Sequence, residues 1–343
     1  MKVNIDKRKV GDNEPCFIVA EIGSNHNQSF DLAIEMIEAA ADANVDAVKF
    51  QTFKASEHYS RKTPGFSYLD NTDTYKLIES LELNREWQGK LKLHAEKKGV
   101  IFFSSPCDSD AVESLKIIDT PAYKIASFDI TDDRLVKEIA LIGKPLILST
   151  GMSNLMEIQI AVDKAREVGN DNLILLQCTS LYPAPAKLSN LKAIKTMRSV
   201  FNTLVGYSDH TEGEHIALAS IPLGACFIEK HFTINRNLPG PDHPFAMEPK
   251  EFKLMISNIR EIEEGLGDGM KNGPRQEEIE MAEKGRRSIH ASRKIEKGEV
   301  LTEDMLVMKR PGYGIKPSLR DIIAGRKAVC DIDKDEWITW EMI

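Results

Sequence analysis

The sequence predicts a parallel α/β fold: a (β/α)8 TIM barrel over about the first 270 residues, followed by a small second domain. Three observations predict it. Eight short apolar runs recur along the chain, amphipathic stretches separate them, and each run ends in a polar cluster. Strands that alternate with helices imply parallel β/α units, and eight of them favour a closed barrel over an open sheet.

The eight runs fall at 17–20, 47–50, 100–103, 122–126, 145–148, 173–176, 203–206 and 225–228. Between them lie FDLAIEMIEAAADA, DAVESLKII, MEIQIAVDKAREV and GEHIALASI, whose apolar residues recur at helical spacing. Successive runs start about 22–30 residues apart, the length of a short β/α repeat. One interval is longer. Between Gln51 and Val100 stands SEHYSRKTPGFSYLDNTDTY, which reads either as a substrate lid or as a disordered insertion.

The ends of the runs carry the chemistry. Run one leads into Glu21, Gly23 and Asn25, run two into Lys49 and Gln51, and run three into Ser104, Ser105 and Pro106. Run four carries Lys124, Ser127 and Asp129, and run five Ser149 and Thr150. Run six ends in Cys178, Thr179 and Ser180 with Tyr182 beyond, run seven in Ser208, Asp209 and His210, and run eight in Glu229, Lys230 and His231. The C-terminal strand ends of a barrel build its active site. A single serine there can equally be a helix cap or turn former; two lysines, two histidines and two carboxylates together point to catalysis.

Bulk properties narrow the function. With 45 basic against 53 acidic residues, the net charge is −8, which disfavours a nucleic-acid or anionic-membrane surface. The five cysteines, at 16, 107, 178, 226 and 330, form no C-x-x-C pair, so neither a disulfide framework nor a zinc knuckle is expected. The N-terminus lacks the apolar region of a signal peptide, and no run of about 18 apolar residues occurs. A cytoplasmic enzyme is expected.

His210 and His231, at the ends of neighbouring runs, could share one divalent metal, since neutral imidazole suits Zn, Mn, Fe or Co; each could also be a hydrogen-bonded structural group. Lys49 and Lys124 sit inside apolar runs and need a counter-charge or a polar mouth. With Ser105, Ser127, Ser149 and Ser208 they could cradle phosphate and carboxylate, or they could form internal salt bridges to Glu229 or Asp129. Glu21 and Asp129 are the candidate acid–base carboxylates. Asp242 lies in a loop at the same face, where it could instead cap a turn.

The motifs EIGSNHN, VKFQTF, FSSP, AYKIAS, ILSTGM, CTSLYPAP, GYSDHT, EKHFT and LPGPDH, in this order between residues 21 and 243, resemble the sialic acid synthase family, whose members make nonulosonic acids. The resemblance extends to the end of the chain. After a linker at 271–285, residues 286–343 look like the family's small antifreeze-like (SAF) domain, with Gly298 in a turn and Arg310-Pro311-Gly312 matching its K-R-P-G motif.

That resemblance implies condensation of phosphoenolpyruvate with an open-chain N-acyl-mannosamine-type sugar, as in N-acetylneuraminate synthesis. The alternative substrate is a 2,4-diacetamido-trideoxyhexose, as in the pseudaminate, legionaminate and spore-coat branches. It implies a divalent metal, usually Mn²⁺ with Mg²⁺ or Co²⁺ as alternatives, on His210 and His231. Lys49, Ser105, Lys124, Ser127, Ser149, Ser180 and Ser208 would take phosphoenolpyruvate. Glu21, Gln51, Asn71, Tyr182, Asp242 and Arg310 would bind or orient the sugar, and Asp129, commonly Glu in the family, would handle water. The family pattern further implies a homodimer in which Arg310 reaches the partner's site; in the sequence alone Arg310 is a turn arginine. A Schiff-base aldolase, with Lys124 as the imine lysine, and a non-catalytic sugar-binding protein remain rivals. Related α-keto acid sugar synthases acting on phosphorylated sugars are a closer third option, disfavoured because they lack a C-terminal domain like 286–343.

Overall fold

A computed structural model describes residues 1–65 and 73–343. Eight parallel strands close into a barrel: β3 (Phe17–Gly23), β4 (Ala47–Thr52), β5 (Ile101–Pro106), β6 (Tyr123–Ile125), β7 (Leu146–Ser149), β8 (Leu173–Cys178), β9 (Leu204–Asp209) and β10 (Phe227–His231). Each pairs with its sequence neighbour, and β10 returns to pair with β3. Helices follow the strands; the first, Phe30–Asp42, is capped by Ser29, whose hydroxyl accepts from the Leu32 amide. All eight expected runs are strands, with ends displaced by one to three residues. Several continue into the polar cluster, so that Glu21, Lys49 and Gln51 are themselves strand residues.

Strand alternation divides the barrel residues into two sets. Ile18, Ala20, Val48, Phe50, Phe102, Leu148, Leu175, Val205 and Ile228 pack outward against the helices. Phe17, Val19, Ala47, Phe103, Ala122, Ile147, Ile174, Leu176 and Phe227 fill the interior. Gly206 lies where a Cβ would come within 2.3 Å of the Phe227 carbonyl oxygen, so a side chain there would push β9 from β10.

An antiparallel hairpin absent from the expected layout, β1 (Lys2–Ile5) with β2 (Arg8–Gly11), precedes the barrel. Val3, Ile5 and Val10 join the interior cluster and close the N-terminal end.

The chain divides into two compact units, Met1–Gly267 and Asp268–Ile343. The second contains the antiparallel pair β11 (Ser288–Ala291) and β12 (Leu306–Lys309) around a core of Ile289, Ile295, Leu301, Ile323, Ile332 and Ile338. Gly298 takes a positive φ of 86° in the expected turn. The stretch 271–285, read from sequence as a linker, includes a helix, Ile279–Gly285. Among the described residues, no helix is long and apolar enough to cross a membrane.

Candidate active site

The interior apolar layer stops at one level, and the next inward residue of almost every strand is polar. Val19 is followed by Glu21, Ala47 by Lys49, Phe103 by Ser105, Ala122 by Lys124, Ile147 by Ser149, Leu176 by Cys178 and Phe227 by Glu229; all seven followers line one cavity. Parallel register brings them side by side. Glu21 pairs with Lys49 on one flank and His231 on the other, and Ser208 pairs with both Cys178 and Glu229. The intervening residues Asp209 and Lys230 face away, where Lys230 Nζ donates to Asp209 Oδ2 at 2.8 Å and to the Thr211 carbonyl at 2.6 Å.

Two lysines and two glutamates form the floor of the cavity. Lys49 Nζ lies 2.8 Å from Glu21 Oε2 and 3.7 Å from Glu229 Oε1, and Lys124 Nζ lies 3.9 Å from Glu229 Oε1. Every one of these side chains is at least 93% buried. Thus the salt-bridge reading of the lysines is met, through Glu21 and Glu229. Hydroxyls complete the set: Lys49 donates to Ser105 Oγ at 3.3 Å, Lys124 to Ser149 Oγ at 2.6 Å, and Ser208 to Glu229 Oε1 at 3.3 Å. Ser127 Oγ accepts from the Gly151 amide at 3.0 Å.

Burial and pairing pull the four charges in different directions. Burial raises Glu21 despite the adjacent Lys49. Burial also opposes ionisation of Glu229, yet Lys124 and Lys49 together hold it below the usual carboxylate range. Lys49 stays above its ordinary value because Glu21 and Glu229 outweigh its burial. Lys124, with one distant counter-charge and Lys49 nearby, is depressed by burial.

The second corner is aromatic. His210 and His231 have ring centroids 5.3 Å apart, with Tyr182 4.3 Å from His210 and 6.0 Å from His231. His210 Nδ1 is 2.8 Å from the Thr179 carbonyl, a contact in which the ring donates and leaves Nε2 free as a donor atom. His231 Nδ1 is buried without a hydrogen-bond partner and lies 3.5 Å from Asp242 Oδ2. Burial, reinforced by His210 and the lysines, holds His231 neutral well below the ordinary imidazole value, and burial pushes Asp242 up to about 6. Two imidazoles, one with an orphaned buried nitrogen, beside a carboxylate are a donor set that fits a borderline divalent ion.

The remaining sequence candidates divide four ways. Gln51 lines the cavity and donates to Glu21 Oε1 at 2.7 Å. Asp129 also lines it, raised by burial against the pull of His58. Ser180 is not on the wall; its buried, unpartnered hydroxyl faces Gly151, where a Cβ would meet it at 2.3 Å. Arg310 belongs to the second unit, where it is exposed and its Nε donates to the Gly285 carbonyl at 2.6 Å. Asn71 lies outside the described residues.

Sequence reading gave Glu229 no role beyond a strand-end counter-ion of the lysines, although counting by two from Phe227 along β10 places it inward. It also missed His58, Cys107 and an apolar rim of Phe53, Leu77, Ile78, Leu81 and Phe128. Leu77 and Ile78 come from the helix Thr74–Ser80 and lie just after the segment that read as lid or insertion, and His58 lies within that segment.

Known proteins share this arrangement of chain. The NeuB family model matches residues 36–271 and the SAF domain model residues 286–343. The N,N'-diacetyllegionaminic acid synthase of Campylobacter jejuni is 40% identical over 330 residues, covering 94% of this chain and 98% of that protein. A pseudaminic acid synthase of Campylobacter jejuni is 36% identical over 326 residues, covering 92% and 93%. Among solved structures, the N-acetylneuraminic acid (sialic acid) synthetase of Leptospira borgpetersenii in complex with citrate superposes with a TM-score of 0.75 at 35% identity, covering 82% of this chain and 94% of that one.

Proposed function

Because the chain belongs to the NeuB family and ends in a SAF domain, we propose that this synthase condenses phosphoenolpyruvate with the open-chain form of an N-acylated amino sugar, releasing phosphate. The observation that carries the reading is the buried set of Lys49, Lys124 and four serine hydroxyls beside two buried imidazoles, His210 and His231. Lysines and hydroxyls together suit a ligand that bears both phosphate and carboxylate.

Charge balance supports a metal. Lys49 and Lys124 are already matched by Glu21 and Glu229, whereas a phosphate ester alone brings about −1.5 to −2 charges. His210 and His231, with Asp242 beside them, would hold a divalent ion, Mn²⁺ in our reading and Mg²⁺ or Co²⁺ otherwise. Bound there, the ion would supply Lewis-acid polarisation of the sugar aldehyde.

The chain's own groups do the rest. Lys49, Lys124, Ser105, Ser127, Ser149 and Ser208 hold phosphoenolpyruvate with its enol carbon toward the aldehyde. Gln51, Tyr182 and Asp242 orient the sugar, and Glu21, whose burial raises its pKa, can relay a proton from its partner Lys49 to the aldehyde oxygen as the carbon–carbon bond forms. Water then adds at the carbon that bears the phosphate and loses a proton to Asp129. Phosphate leaves with cleavage of its bond to carbon. By resemblance we extend the proposal to a homodimer in which Arg310 of one copy contacts the sugar held by the other. In that case Arg310→Ala raises the sugar KM far more than that of phosphoenolpyruvate.

N-acetylmannosamine is the first sugar to test. The apolar rim favours a second: a 2,4-diacetamido-trideoxyhexose presents a C6 methyl where N-acetylmannosamine presents a hydroxyl, and burying an unpaired hydroxyl against Phe53, Leu77 and Phe128 is costly. The test is phosphate release from phosphoenolpyruvate with Mn²⁺ and each sugar in turn. Release dependent on one sugar, with a nine-carbon keto acid in the product, supports the synthase. Activity that survives EDTA, with Lys124 trapped by borohydride and pyruvate, would replace it with the Schiff-base aldolase.

A further inference from the structure

On the side of the cavity away from the histidine corner, three elements bring together an imidazole, a thiol and a carboxylate. His58 ends the short helix Ala55–His58 after β4, Cys107 follows the last residue of β5, and Asp129 lies in the turn after β6. One donor atom from each lies within 4.8 Å of the other two, the one such trio of potential metal ligands among the described residues. His58 Nε2 is 3.9 Å from Asp129 Oδ1.

Their backbones are pinned. The His58 amide donates to the Lys54 carbonyl at 3.0 Å, that of Cys107 to the Thr52 carbonyl at 3.1 Å, and that of Asp129 to the Ala126 carbonyl at 3.0 Å. The His58 ring stacks on Phe53 with centroids 6.3 Å apart and meets Tyr59 edge-on at 4.9 Å. None of the three side chains is fully exposed, and all line the cavity.

The geometry points to a second cation site, formed by His58, Cys107 and Asp129, that takes a borderline-soft divalent ion of the Zn²⁺ type and stops turnover when filled. Around a tetrahedral zinc with bonds of about 2.0–2.3 Å, neighbouring ligand atoms stand about 3.3–3.7 Å apart, so small side-chain rotations from the present spacing suffice. The three donors would occupy three vertices and leave the fourth open to the cavity. Thiolate selects against Mg²⁺ and Mn²⁺, so the metal that supports turnover and the metal that blocks it would be different ions. Binding converts the Cys107 thiol to thiolate and releases its proton to solvent. Turnover would stop because Asp129, the group assigned to the attacking water, becomes a ligand; that part alone rests on the proposed function.

The full-length protein, freed of metal with a chelator, is titrated with Co²⁺ without substrate. The expected result is a thiolate-to-cobalt charge-transfer band that is lost in Cys107→Ser, weakened about tenfold or more in apparent affinity in His58→Gln, and kept in Cys178→Ser. Absence of a thiolate band in the wild type overturns the site, as does a band that survives Cys107→Ser but not Cys178→Ser, which would place the ion beside His210. Zinc added to Mn²⁺-supported turnover should inhibit the wild type at least tenfold more strongly than Cys107→Ser. Equal inhibition of the two, with the band present, overturns the regulatory part. The cobalt readout needs no turnover, so failure of the synthase reading leaves it intact.

Discussion

The two layers of the barrel interior are made by the same strands, two residues apart, and do opposite work. The lower layer is Phe17, Val19, Ala47, Phe103, Ile147, Ile174 and Phe227, with Phe17 and Phe227 stacked at 5.2 Å. The upper layer is Glu21, Lys49, Ser105, Lys124, Ser149 and Glu229. The lower layer gains free energy from burial without direction. The upper layer gives some of it back, because desolvated charges seldom recover their full hydration even when well paired. A barrel can carry such a layer only where the one beneath it is tightly packed.

Three substitutions test that division, beginning with the largest effect. His231→Ala should abolish metal binding and lower turnover by about 10³-fold or more, several kcal/mol of barrier. The melting temperature of the metal-free protein should barely move, since the ring has a nitrogen with no partner to lose. Metal analysis with calorimetry decides; a large loss of stability with metal retained would make the corner structural. Phe227→Ala attacks the lower layer and should cost about 3–4 kcal/mol in urea unfolding, with both KM values near wild type in the folded protein. A KM change without destabilisation would erase the distinction.

The smallest effect concerns His26, buried between barrel and helices near Phe50, with Nε2 unpartnered and Nδ1 accepting from the Gln28 amide at 3.0 Å. Burial lowers its pKa from 6.5 to about 4. Between those values the unfolded chain binds a proton that the folded chain refuses. Its stability contribution is therefore complete above about pH 6.5 and is lost as pH falls toward 4. Unfolding free energy should drop by about 2 kcal/mol more between pH 7 and pH 5 in the wild type than in His26→Gln. Parallel pH profiles would show that His26 finds a partner the upper layer's charges already have.

Much of this was legible in the sequence because a barrel strand is short and its period is two. An apolar run that ends in Lys or Glu fixes both the level of the site and the residues on it, as with Val19 and Glu21 or Ala122 and Lys124. Legibility failed where the cause lay elsewhere. Glu229 was read only as a counter-ion because three polar residues in a row at 229–231 hide which of them face inward. His58 and Cys107 reach the cavity through the curvature of loops, which no periodicity encodes. Ser180 follows its strand in sequence, yet the turn carries its hydroxyl behind Gly151. The N-terminal hairpin went unread because its Val3, Ile5 and Val10 alternate over stretches too short to stand out from a polar terminus.

That hairpin also bears on how the molecule is made. Its apolar face packs into a cluster completed by Ile174, Leu204 and Phe227, residues that leave the ribosome some two hundred positions later. The hairpin is thus made well before the residues that cover it. Until β10 arrives it must wait in water, held off from other chains by Lys2, Asp6, Lys7, Arg8 and Lys9 in the same stretch.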